Sequence, residues 1–225
     1  MSEWWTYHLQ DFLLFTPRTY YRLFELYNAA IWPAQVLALG LGAGILWLSR
    51  RASPPAGRAI AAILAAGWLW VAFAFHAARY ATIHTAGVPF AWAFGVQGAL
   101  LIGMGVVRGG LAFGRAGDGA KRIGMAILVF ALAVEPLAGP LLGRGWRTAE
   151  IFGVAPDPTA VGTLGVLLLA SGKGRWLLMV IPALWCAVTG GTLWTMKSPE
   201  FWLAPAAAAL AVAAASWQAR ARRRA

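Results

Sequence analysis

Seven apolar stretches, each closed off by Gly/Pro or by charge, fill nearly all of the chain after residue 28. They run over residues 29–49, 60–79, 88–107, 123–142, 158–170, 176–196 and 200–218. All but the fifth are close to the ~20 residues that a helix needs to cross ~30 Å of hydrocarbon. Hydrophobic residues make up 60% of the sequence and charged ones 12%, which excludes an ordinary soluble domain. The expected fold is all-α, a polytopic transmembrane helical bundle of about seven spans. It forms one domain over residues 1–225, with an amphipathic interfacial segment (1–28), the bundle (29–218) and a basic tail (219–225). No internal repeat is visible. The N-terminus lacks the basic region, long apolar core and small-residue cleavage site of a secretory signal. The single cysteine, Cys186, falls inside a span, so no disulfide framework exists.

The net charge of +11 points to topology rather than to nucleic acid. With seven spans, thirteen of the nineteen Lys/Arg fall on one side: Arg50, Arg51, Arg58, Arg108, Arg115, Lys121, Arg122, Lys173, Arg175 and the tail arginines 220 and 222–224. The other side receives Arg18, Arg22, Arg79, Arg144, Arg147 and Lys197. The positive-inside rule then places the N-terminus outside and the C-terminus in the cytoplasm. The lipid bilayer is the expected partner of these charges, and no nucleic acid is expected. The same rule makes 158–170 a full crossing, because otherwise Lys173/Arg175 and the tail would lie on opposite sides. Thirteen helical residues reach only about 20 Å. Residues 151–156 are therefore expected to enter as irregular backbone covered by protein.

Tryptophans mark the span ends. Trp47, Trp176 and Trp217 sit at expected inner ends, and Trp92, Trp146, Trp194 and Trp202 at outer ends, where indole rings favour the headgroup level. Trp68, Trp70 and Trp185 are mid-span and are assigned to helix packing. Before the first span, Trp5, Leu9, Phe12 and Leu13 recur at helical spacing up to a break at Thr16–Pro17. A second helix follows through Tyr20, Tyr21, Leu23, Phe24 and Tyr27. Mixed with Asp11, Arg18, Arg22 and Glu25, these residues fit a helix lying in the outer interface or a lid over the bundle's mouth. Small residues (Gly40 and Gly44; Gly95, Ala99 and Gly103; the alanines of the last span) offer close helix contacts, within the bundle or between copies.

The chain has no P-loop, HExxH, CxxC or GxSxG, and no His pair at metal-ligand spacing among His8, His76 and His84, so no cofactor or metal is expected. Polar residues inside the bilayer carry the stronger signal, since they are costly there. Glu135 stands out, directly before Pro136, whose missing N–H frees a carbonyl at the same level. Glu135 lies about 18 Å along its span and His76 about 24 Å along the second, at 1.5 Å per residue. Arg79 follows His76 by one turn, and Glu135 is expected to pair with it, His76 alongside. Gln97, Thr189 and Thr192 add hydrogen-bonding groups. The connection 144–157 brings Arg144, Arg147, Glu150 and Asp157 to the same face. Asp157-Pro158 reads as N-cap and first residue of the short helix, whose N-terminus would face the site. The candidate binding residues are Glu135, His76, Arg79, Glu150, Asp157 and Gln97, against the alternative that Glu135 forms only a structural clasp.

Two stretches, Trp4-Trp5-Thr6-Tyr7 through Pro17-Arg18-Thr19-Tyr20 to Glu25-Leu26-Tyr27-Asn28, and Ala149-Glu150-Ile151-Phe152-Gly153-Val154-Ala155-Pro156-Asp157-Pro158-Thr159, carry a resemblance. The chain resembles, over essentially its whole length, a family of uncharacterised bacterial integral membrane proteins, a domain-of-unknown-function family. The resemblance implies a bacterial inner-membrane location and little about activity, because the family has no established one to carry over. Three functions remain open: binding or passage of a small solute through an outward-facing polar cavity; a non-catalytic accessory, assembly or sensor protein, as a homo-oligomer or with a membrane partner; and an enzyme acting on a lipid-linked substrate.

Overall fold

A computed structural model describes residues 13–114, 118–172 and 174–224. The first half of the aromatic segment, with Trp5, His8, Leu9, Asp11 and Phe12, lies outside the described residues, as do Arg115 and Lys173. The described chain is helical throughout, with a single isolated β-bridge between Ala112 and Ser171. The helices are α1 (Pro17–Ala30), α2 (Ala34–Leu48), α3 (Pro54–Trp70), α4 (Gly87–Leu100), α5 (Asp118–Val129), α6 (Glu135–Leu141), α7 (Pro156–Leu169), α8 (Arg175–Thr195) and α9 (Leu203–Arg224). π-Helical turns extend α3 over Val71–Ala77 and α4 over Leu101–Val107, and join α5 to α6 over Phe130–Val134.

Helix starts follow the local sequence. Thr16 caps α1 by accepting from the Thr19 N–H, with Pro17 in the first turn. Ser53 caps α3 in the same way, ahead of Pro54. The helices Pro54–Thr82, Gly87–Val107, Gly119–Leu141 and Arg175–Thr195 are long and apolar enough to cross a bilayer. A fifth crossing arises if α1 and α2, bent by 88° to each other, count as one. The other two expected spans fall short for different reasons. α7 has only 14 residues, and α9 dilutes its alanines with Ser216, Gln218 and Arg220.

The short helix sits at the centre. Every residue of α7 is buried, with α5, α8, α9 and α3 packed around it. Glycines set how close they come: a Cβ on Gly165 would lie 2.8 Å from the Gly124 carbonyl oxygen of α5, and the converse holds for Gly124. The loop before α7 is irregular, as expected for 151–156, and protein covers it: Phe152, Val154 and Ala155 are buried. Its polar backbone is satisfied by the Tyr27 hydroxyl, which donates to the Val154 carbonyl at 2.7 Å, and by Thr159 Oγ1, which accepts from the Gly153 N–H at 2.8 Å.

The glycine ridges singled out in the sequence are not the packed ones. Gly40, Gly44, Gly95 and Gly103 have nothing within 4 Å of a would-be Cβ, whereas Gly42, Gly98 and Gly105 press against neighbouring helices. The three mid-span indoles do pack helices. Trp68 donates to Thr163 Oγ1, Trp70 to the Tyr27 hydroxyl and Trp185 to Asp157 Oδ1. The seven tryptophans assigned to span ends are all exposed. α1 closes one end of the bundle, burying Tyr20, Leu23, Phe24 and Tyr27 against the π-helical end of α3. Asn28 fastens it to the 144–150 connection by donating to the carbonyls of Arg147 and Ala149, each at 2.9 Å.

Candidate functional site: a carboxylate pocket beneath an arginine cleft

At the α1 end, four of the chain's eight acidic residues line one small cavity: Glu135, Glu150, Asp157 and Glu200. They arrive from separate elements. Glu135 opens α6, Glu150 stands in the connection, Asp157 is in the first turn of α7 and Glu200 precedes α9. Arg144 is the cation among them. Its Nη1 donates to Glu200 and, at 3.2 Å, to the Tyr21 hydroxyl, while its guanidinium stacks 4.4 Å over the Tyr21 ring. Tyr21 in turn shares a hydrogen bond with Ser198. Gly139 lets the connection approach α6, since a Cβ there would meet Thr148 Oγ1 at 2.8 Å.

The charges do not balance. Four carboxylates face one guanidinium, and Glu135, Glu150 and Glu200 each keep a buried Oε2 with no hydrogen-bond partner. The Glu200 side chain is only 10% exposed. Buried unpaired carboxylates are costly, so such groups take up protons or a cation. Glu150 lies outside the helices long and apolar enough to cross a bilayer. Burial pushes its carboxyl well above the usual carboxylate range, Asp157 and Glu135 push it further, and Arg144 pulls it back. The cavity measures about 40 Å³, room for a water-sized occupant and little more. Among the described residues, no group of three or more His, Cys, Asp or Glu is arranged to hold a metal ion.

Of the six residues singled out in the sequence, three meet here: Glu135, Glu150 and Asp157. Asp157 does not cap α7. Ala155 is the N-cap and Pro156 starts the helix, so the Asp157 carboxylate is free to reach across to α8. There it accepts from Trp185 Nε1 and Thr189 Oγ1, both at 2.7 Å. The expected Glu135–Arg79 pair does not form, and the cation beside the carboxylates is Arg144. The reason lies in α3. Its last turns are π-helical and end in a tight turn, so residues three apart no longer share a face. His76 is buried and Arg79 exposed.

His76 sits in an aromatic box. Its ring lies 4.5 Å from Phe94, 4.9 Å from Trp185 and 5.2 Å from Phe75, centroid to centroid, and neither ring nitrogen has a hydrogen-bond partner. Trp185 links it to the carboxylates, meeting the His76 ring in a T-shaped contact and donating from Nε1 to Asp157. Gln97 has a structural task. It donates to the Leu178 carbonyl at 2.9 Å, the group that Pro182, lacking an N–H, leaves without its helical partner. Sequence reasoning missed Glu200, Tyr21 and Trp185 as site residues. For Glu200 the signal was present: it begins a span at the same level as the Arg144 connection.

Above the pocket lies an open cleft of about 850 Å³. Arg18, Arg22, Arg79 and Arg144 line it with Thr19, Thr82 and Glu25. Arg144 and Thr148 belong to both spaces, so the two adjoin through Arg144. The polar region is thus two adjoining sites of opposite charge rather than one continuous cavity.

A family profile described as a family of unknown function matches residues 18–225. No curated protein and no solved structure matches the chain.

Proposed function

The chain belongs to that family, DUF6064, and we propose that it is a bacterial inner-membrane protein that binds protons in the carboxylate pocket as part of handling a small solute. One observation carries this reading. Four carboxylates surround a single guanidinium in a space of about 40 Å³, with three carboxylate oxygens left without partners. Full ionisation would leave three uncompensated negative charges in low dielectric. Protons remove that cost, fit a space of about 40 Å³, and can enter and leave with the pH on one side.

The reading takes α2, α3, α4, α5–α6, α7, α8 and α9 as seven crossings, with α1 in the outer interface as the lid over the site and the α9 arginines inside. Infrared difference spectroscopy on the purified protein tests it. A protonated carboxyl band is expected at about pH 7, shrinking when Glu150 is changed to Gln. Absence of any protonated carboxyl between about pH 5 and pH 8 would overturn it.

A second reading, an accessory or assembly protein, draws on the glycine faces. Gly40, Gly44, Gly95 and Gly103 point away from every described neighbour and leave α2 and α4 open to a helix from another subunit or a second copy. Crosslinking from cysteines placed at Gly40 and Gly95 separates the readings. Transfer to a second chain supports assembly, and labelling by lipid-soluble reagents alone counts against it.

A further inference from the structure

The cleft above the carboxylate pocket has the opposite chemistry. The end of the molecule that is poor in cations holds six Lys/Arg by the sequence map, Arg18, Arg22, Arg79, Arg144, Arg147 and Lys197, and four of the six line this single cleft. Only one carboxylate, Glu25, lines it, and Glu25 is taken by Arg22 at 2.6 Å. Arg144 is held by Glu200 and Tyr21 at the floor. Arg18 and Arg79 have no ion-pair partner among the described residues, and both are exposed. Like charges confined in a cleft repel, so their gathering on the side that topology depletes of cations calls for an anion to offset them. Guanidinium forks match the geometry of phosphate and carboxylate oxygens.

We propose that this cleft is a binding site for an oxyanion, a phosphate or carboxylate group, held chiefly by Arg18 and Arg79. The cleft is far larger than a bare anion, so the group belongs either to a free anionic solute or to the headgroup of an anionic phospholipid reaching α1 from the side. The site stands independently of proton binding beneath it, because it rests on the arginines and not on the protonation state of the carboxylates.

The test uses the full chain in neutral detergent and the double variant Arg18→Gln/Arg79→Gln. Both positions are exposed, and matching thermal melts and circular dichroism confirm that the variant folds. Inorganic phosphate, then short-chain phosphatidylglycerol, is titrated by calorimetry, with sodium chloride at matched ionic strength as control. Saturable binding of phosphate, weakened at least tenfold in the double variant, supports the site with a free anion as its ligand. Binding of phosphatidylglycerol but not phosphate, with the same loss in the variant, supports the site with a lipid headgroup as its ligand. Binding of neither, binding that chloride reproduces, or equal binding by the variant overturns the proposal.

Discussion

Gln97 shows how single side chains hold this fold together where proline interrupts it. Pro182 withholds the N–H that the Leu178 carbonyl would accept, and Gln97 supplies one from α4. In the loop before α7, the Val154 carbonyl is answered by another distant side chain, the Tyr27 hydroxyl from α1. Gln97→Leu should therefore lower stability by about 1–2 kcal/mol, the cost of a buried carbonyl left unpaired. Adding Pro182→Ala should restore much of it, because the helix then satisfies its own carbonyl. Thermal melts in one detergent check both, and a double variant no better than the single one would refute the account. The sequence made Gln97 visible as a polar residue in a span. Its partner was invisible, since nothing in the residue pattern pairs α4 with the proline of α8.

Glu150 gives the pH dependence its sign. Burial and the neighbouring carboxylates hold its carboxyl above the usual range in the folded protein. The unfolded chain gives up that proton first, near the ordinary carboxylate value of about 4.3. Stability is thus complete below that value and falls as pH rises toward the folded-state value. The melting temperature in detergent should rise on acidification from neutral toward about pH 5, and Glu150→Gln should flatten that slope. A slope of equal size in the variant would assign the effect to another group.

At the scale of elements, what decides contact is the rotation of a helix about its axis. Position along a span was readable, and Glu135, Glu150 and Asp157 line one cavity. Rotation was not, because the π-helical turns after Trp70, Leu100 and Val129 reset the facing of everything beyond them. That reset separates His76 from Arg79. The glycines missed their packed face for a related reason: spacing alone does not say which of several small-residue rows meets a neighbour. Gly165→Ala should cost about 1–3 kcal/mol, because its Cβ would press on the α5 backbone. Gly40→Ala, with nothing within 4 Å, should leave the monomer's melt unchanged or slightly raise it. The two single variants, melted side by side, check this contrast.

For the molecule as a whole, the apolar pattern made an all-helical membrane architecture legible, and the charge bias supplied its proposed orientation. A reporter active only in the cytoplasm, fused after Ala225, should be active, and one active only outside, fused at residue 2, should be active as well. Activity of the same reporter type at both ends would refute an odd number of crossings. The site was legible as a region and not as a set of partners. Arg144, Glu200 and Tyr21 come from three stretches far apart in the chain, and only tertiary packing brings them together.

The burial of α7 on every side also bears on how the protein is made. A segment of 14 residues that carries Asp157, Thr159 and Thr163 is a poor substrate for release into lipid on its own. Its partners on one flank, α8 and α9, leave the ribosome after it. Under the seven-crossing proposal, the fifth apolar stretch is enclosed only once later sequence arrives. Chains shortened before α8 would lack that whole flank. The order of synthesis, rather than the hydropathy of the segment, then governs when the centre of this protein becomes a core.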